Sequence, residues 1–247
     1  MVKPYYVSGN TAEGFVDLLE TNLQGIEETI ELNGESLQMD TEILQQLIQN
    51  NKDKTTVEVL MSPISERYLE GVIFRDKKLA ILSDRKPLFT NQAYGYFAKG
   101  LRIHDDLEKI YIQEMDFEKA DQVADDLIRQ LLADIPKEKR KPRIYNRLLG
   151  TNTMEGVVNV VPQLIRNLQN VYHIKGRAGT GKSTFMKRVA NACLDHGLDL
   201  EIYHCSFDPN SIDMVLIPAL STCLFDSTDP HAFEPEDDTR EKIIDLY

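Results

Sequence analysis

Cysteine is scarce in this chain. Cys193, Cys205 and Cys223 are the only three, an odd number without C-x-x-C spacing. That argues against a disulfide framework and for free thiols in a reducing cytosol. Cys205 follows His204, but no further ligand cluster accompanies the pair, so a buried strand end is the preferred reading over a metal site. No apolar stretch approaches the length of a membrane span, and Met1-Val2-Lys3-Pro4-Tyr5 lacks the apolar core of a signal peptide. Together these absences predict a cytoplasmic protein with no membrane partner. Positive charge is also in short supply. Lys plus Arg is 28 against 40 for Asp plus Glu, a net charge of −12. A chain this acidic repels polyanions unless a local patch overrides the mean field, so nucleic acid is not an expected partner. The 247 residues, 42% hydrophobic and 28% charged, suit a globular protein of two modest domains or one large one.

The octapeptide Gly176-Arg177-Ala178-Gly179-Thr180-Gly181-Lys182-Ser183 fits G-x-x-x-x-G-K-[ST] at every fixed position. A strand-like run, Val171 to Lys175, precedes it, and a helix-like run beginning near Ser183 follows it. That setting makes the motif a nucleoside-triphosphate prediction rather than a chance glycine-rich turn. Glycines let backbone N–H groups converge on one anion, and the next helix adds its dipole and unpaired donors. Gly176 to Ser183, with Thr184, form the expected ATP-binding set. Lys182 would reach the β- and γ-phosphates, and Ser183 would ligate Mg²⁺. The apolar run Thr222 to Phe225 ends in Asp226, the pattern of a Walker B acid and a second expected Mg²⁺ ligand. Asp208, at the end of the strand Leu200 to Cys205, competes for that role and is also the candidate water-positioning residue.

The chain also repeats itself. Asn10-Thr11-Ala12-Glu13-Gly14 recurs as Asn152-Thr153-Met154-Glu155-Gly156. Holding that offset sets Val16 on Val158, Leu23 on Ile165, Leu32 on Ile174 and Gly34 on Gly176. One residue of slippage later, Glu58-Val59-Leu60 lies over Glu201-Ile202-Tyr203, Leu79 to Leu82 over Thr222 to Phe225, and Pro87 over Pro230. A period this long means duplicated domains rather than a solenoid. The expected fold is α/β: tandem P-loop NTPase-like domains with mainly parallel sheets. The boundaries are a first copy over 1–135, a linker over 136–143 rich in Lys and Arg and bracketed by prolines, and a second copy over 144–247. In the first copy the loop reads Gly34-Glu35-Ser36-Leu37-Gln38-Met39-Asp40-Thr41, without the inner glycines or the lysine. Its carboxylates would repel phosphate at close range, so this copy is expected to be degenerate. The first copy continues well past Pro87, whereas little follows Pro230. The second therefore reads as truncated, or as closing its fold with help from the first.

Local signals place the remaining elements. Asn152 or Thr153 is read as capping a helix toward Asn167. Phe185, Met186, Val189, Ala190, Cys193 and Leu194 recur at helical spacing up to Gly197. Asp208 to Ser211 is read as opening a short helical connection. Asn91 to about Gln113 and Asp116 to about Ile135 form an amphipathic hairpin, with Asp116 as a cap. His104 and Glu108 share a face of it, and an ion pair or packing role is preferred there over metal. The hairpin is expected to pack on the sheet or to meet a protein partner, including a second copy of the chain.

With Gly9 to Phe15, Ile174-Lys175-Gly176-Arg177, His104-Asp105-Asp106, Tyr203 to Ser211 and Phe225 to His231 in view, the chain resembles an uncharacterised family of tandem P-loop ATP-binding proteins from Gram-positive bacteria. The resemblance spans nearly the whole chain and implies the fold and ATP as ligand, but no biological task. Family members are longer and carry an intact P-loop in each half, features this sequence lacks. Three activities fit: an ATPase with a conformational output, a small-molecule or nucleotide kinase, and a nucleotide-gated module without hydrolysis. No Arg-rich lid follows Asp226, which weighs against the kinase.

Overall fold

The computed structural model describes residues 1–34, 36–83, 91–229 and 232–246. Glu35, Pro87, Pro230 and His231, used in the sequence comparison, lie outside them. The chain is α/β, built on two mixed sheets. The first half contributes β1 (Val2–Tyr5), the hairpin β2 (Ser8–Thr11) and β3 (Gly14–Asp17), α1 (Leu19–Asn22), β4 (Glu28–Glu31), α2 (Leu37–Asn51), β5 (Val57–Met61), β6 (Leu69–Phe74) and β7 (Leu79–Leu82). Helices α3 (Asn91–Ile112) and α4 (Phe117–Leu132) follow. The second half contributes β8 (Ile144–Leu148), the hairpin β9 (Gly150–Thr153) and β10 (Gly156–Asn159), α5 (Val161–Ile165), β11 (Asn170–Lys175) and α6 (Lys182–Asp195). It ends with β12 (Leu200–His204), β13 (Ile212–Ile217), β14 (Thr222–Asp226) and β15 (Glu241–Asp245). No helix among the described residues is long and apolar enough to cross a membrane.

The first sheet runs β1-β5-β6-β7-β4 and the second β8-β12-β13-β14-β11-β15. Corresponding pairs share one direction: β1/β5 and β8/β12 are parallel, as are β7/β4 and β14/β11. The pairs through β6 and β13 are antiparallel. The sheets are therefore mixed, and the expected parallel character holds in places, toward the flanks of each sheet. The links before β6 and β13 are too short for the crossover that a parallel neighbour requires, so the chain turns back. Two helical expectations also change. Asn152 and Thr153 lie in β9, and the Thr153 hydroxyl closes a hairpin by donating to the Gly156 carbonyl at 2.8 Å. The segment after Ser211 is β13, with a 3-10 turn only at Pro218–Leu220.

Alternation along each strand sorts side chains between two layers. Val171, Cys223 and Phe225 point into a core shared with Tyr5, Leu60, Ile73 and Leu82 of the first sheet and with α1 and α5. Tyr172, Ile174 and Leu224 face the other way, under Phe185, Met186 and Val189 of α6. Helix α4 completes that outer layer with Ala124, Leu127 and Leu132, and its Asp125 accepts from Arg188 of α6. The helix that follows the first sheet in sequence thus covers the second.

Arg147 lies between the halves and is fully buried. Its Nε donates to Asn22 Oδ1 at 2.9 Å and one Nη to the Tyr203 hydroxyl at 3.1 Å. Ion pairs reach Glu201 at 2.5 Å and Glu58 at 3.2 Å, and the guanidinium lies 3.6 Å over the Tyr5 ring. Glu58 also accepts from Arg75, and Glu201 from Lys3 and Tyr203. Burial alone would raise the Glu201 carboxyl; Arg147 and Lys3 outweigh it and bring it down to about 2 from 4.5. A folded value below the unfolded one stabilises above about pH 4.5, and the contribution is lost as pH falls from there toward 2. This group alone supplies on the order of 3 kcal/mol. Thermal melts from pH 7 downward should show the midpoint falling through that window. Glu201→Gln should lower the neutral-pH midpoint and flatten the acid slope; an unchanged slope would remove Glu201 as its source.

Candidate functional site

Strand β11 lies inside the second sheet, flanked in parallel by β14 and β15. It runs into a loop whose glycines carry φ values open chiefly to glycine: +153° at Gly176, +80° at Gly179 and +79° at Gly181. Thr180 fastens the loop from inside, its N–H and hydroxyl both donating to the Arg177 carbonyl at 3.2 and 2.9 Å. Gly181 is the N-cap of α6 and offers no side-chain acceptor, so the first-turn N–H groups have no side-chain cap. Lys182 is nearly buried. Its ammonium donates to the carbonyls of Gly176 at 2.7 Å and Arg177 at 2.9 Å and lies 3.6 Å from Asp226.

Asp226 ends β14, in register with Ile174 of β11. Burial raises its carboxyl above the usual range, and nearby Asp213 adds to this; Lys182 and Thr228 offset part of it. The Ser183 hydroxyl accepts from the Ile212 N–H at 3.1 Å, which leaves its proton and a lone pair for other partners. A cleft of about 590 Å³ opens here. Ala178, Gly179, Gly181, Lys182, Ser183, Thr184, Asp208 and Asp226 all line it. Gly176, Arg177 and Thr180 do not: Gly176 and Thr180 brace the loop, and Arg177 turns out to donate to the Tyr111 hydroxyl at 2.8 Å. The Asp208 carboxylate accepts from the Asn210 N–H at 3.0 Å and so shapes its own turn.

Two contributors escaped the sequence reading. Asp213, buried at the start of β13, also lines the cleft; an acid opening the apolar run Ile212 to Ile217 was its signal. The other is α3, which forms the opposite wall with Leu101, His104, Asp105 and Glu108. His104 Nδ1 and Glu108 lie 3.8 Å apart, and with Asp105 they form the metal-compatible cluster found among the described residues. At Gly179 an added Cβ would come within 2.6 Å of the Glu108 carbonyl, so α3 rests directly on the loop.

The first half shapes the cleft as well. The Ala12 N–H donates to the Phe207 carbonyl at 2.9 Å, and Asn210 donates to Glu13 at 2.6 Å. The contact is reciprocated: Met154 N–H donates to the Ile64 carbonyl at 3.3 Å, and Ser65 donates to Glu155 at 2.9 Å. Each Asn-Thr-x-Glu-Gly hairpin therefore clasps a loop of the opposite half. In the first half, Ser36 caps α2, and Asp40, buried, accepts from Ser83 at 2.6 Å. Thr41 accepts from the Leu69 N–H at 3.0 Å, as Ser183 does from Ile212.

Comparison with protein-family models, with curated proteins and with solved structures gives no match in any of the three.

Gly179→Ala should be strained by its φ and should clash with the Glu108 carbonyl, lifting α3 from the loop. Hydrogen exchange across 91–112 should accelerate while the second sheet keeps its protection. Unchanged exchange in α3 would show that the contact does not hold the helix.

Proposed function

We propose that residues 176–183 are a phosphate-binding P-loop and that the protein is a Mg²⁺-dependent ATPase whose nucleotide state controls a conformation or a partner interaction. The observation that carries this reading is the loop itself. Three positive-φ glycines join a parallel strand to an uncapped helix N-terminus, with Lys182 held beneath. Free N–H groups at a helix start favour an anion. Lys182 would exchange its two carbonyl acceptors for phosphate oxygens and neutralise charge on the transferring group. Ser183 and Asp226 are the residues that would hold Mg²⁺, which would neutralise charge on the phosphates. Asp213 and Asp226 line the same cleft, and two carboxylates there would favour a divalent cation. We further read the matching strand orders as an internal duplication in which the first copy has exchanged phosphate binding for structural support. Asp40 stands there in the place of Lys182.

Hydrolysis-free nucleotide gating is the second reading, favoured by the engagement of Asp208, the expected water-positioning residue, in its own turn. A kinase would instead need a phosphoryl acceptor to turn over. Calorimetry with Mg·ATP, run beside phosphate release, separates these. Lys182→Ala should weaken binding by roughly ten- to a hundredfold, as for loss of a charged hydrogen bond. Equal affinity in the variant would overturn the P-loop assignment. Asp226→Asn should bind ATP but lose the gain in affinity that Mg²⁺ confers on the unmodified protein; an undiminished Mg²⁺ gain would remove Asp226 from the metal site.

A further inference from the structure

Helix α3 has 22 residues, none of them buried. One side belongs to the cleft: Phe97 meets Phe207 edge-on at 6.4 Å between ring centres, and Leu101, His104 and Glu108 line the wall. A second apolar stripe faces solvent. Tyr96, Ile103, Leu107 and Ile110 are 63%, 72%, 45% and 63% exposed. Their spacings of seven, four and three residues keep them on one side of the helix, the pattern of a coiled-coil seam. Four large apolar side chains in a single row on an otherwise acidic chain exceed the scattered exposure ordinary for a surface.

We propose that this seam is where two copies of the chain pair, through antiparallel α3 helices related by a two-fold axis. The inference stands apart from the reading of the cleft. Its basis is the charge along one edge of the stripe, where Lys99 and Asp106 lie seven residues apart. In an antiparallel pair, an edge faces the same edge of its mate. A register that sets Tyr96 on the second copy's Leu107 brings the two Ile103 side chains to either side of the axis and places Lys99 within two residues of the level of its Asp106. The two-fold axis then repeats each contact, as an isologous interface requires. Lys99 currently lies 5.4 Å over the Tyr96 ring and Asp106 holds Lys109 at 2.7 Å; both are exposed contacts that leave the charges accessible. A parallel arrangement would face the Lys99–Asp106 edge with the opposite one, which carries Phe97, His104 and Tyr111, and would lose the pairing.

A contact between single helices buries less than about 1,200 Å² in total, which suits a reversible dimer in the micromolar range. Sedimentation velocity from about 1 to 500 µM should show the unmodified protein shifting from monomer to dimer. Leu107→Glu should remain monomeric throughout. Lys99→Asp and Asp106→Lys should each weaken association by about tenfold, since each turns two attractions into repulsions. The double variant should restore it. All these side chains are exposed, and an unchanged thermal midpoint would verify that the fold is intact. A protein that stays monomeric at every concentration overturns the proposal. So does a dimer indifferent to the charge exchange, because its copies would then meet elsewhere.

Discussion

Arg147 is the constraint around which the two halves are assembled. A guanidinium withdrawn from water costs several kcal/mol unless its donors are satisfied and its charge is balanced. Its partners are drawn from both halves: Asn22, Tyr5 and Glu58 from one, Tyr203 and Glu201 from the other. Separating the halves would strand the charge, so the network sets their relative position more sharply than the apolar core around it. Lys3 and Arg75 bring further positive charge to the two glutamates, which keeps both carboxyls ionised despite burial. Apolar packing is tolerant of small slides; a multi-point charged hydrogen-bond network is not.

The two halves share a strand order but differ where their first long helices begin. Where α6 begins at Lys182 under an open loop, α2 begins beside Asp40, folded inward onto Ser83. Where β11 is covered on its outer edge by β15, β4 stands at the end of its sheet. Helices α3 and α4 follow the first sheet yet serve the second, one as a wall of the cleft and the other as the cover of α6. The first half thus acts as support, presenting a hairpin, a wall and a cover to the second.

Much of this was legible along the chain. Periodic apolar positions and clear stop signals located α6, β12, β14 and the α3–α4 pair, and Asp116 caps α4 as its position suggested. What failed to show was set by partners distant in sequence. Asn-Thr-x-Glu imitates a helix capping box, but the following Gly156, at φ +125°, lets the threonine close a hairpin. The glutamate in each motif reaches the other half, and no local pattern announces that. Strand β13 is buried throughout, so it lacks the alternation that marks a half-exposed strand. Arg147 carries no motif; a buried charge is recognised only when its partners are seen.

The clasped hairpins have a consequence in time. Glu13 and Asn210 are 197 positions apart. At a translation rate of 5–20 residues per second, the first hairpin must wait roughly ten to forty seconds before its partner is synthesised. The first sheet can pair its own strands during that interval, but Glu13 lacks Asn210 and Glu58 lacks Arg147 until the second half arrives. The amino-terminal half therefore emerges first and is completed last.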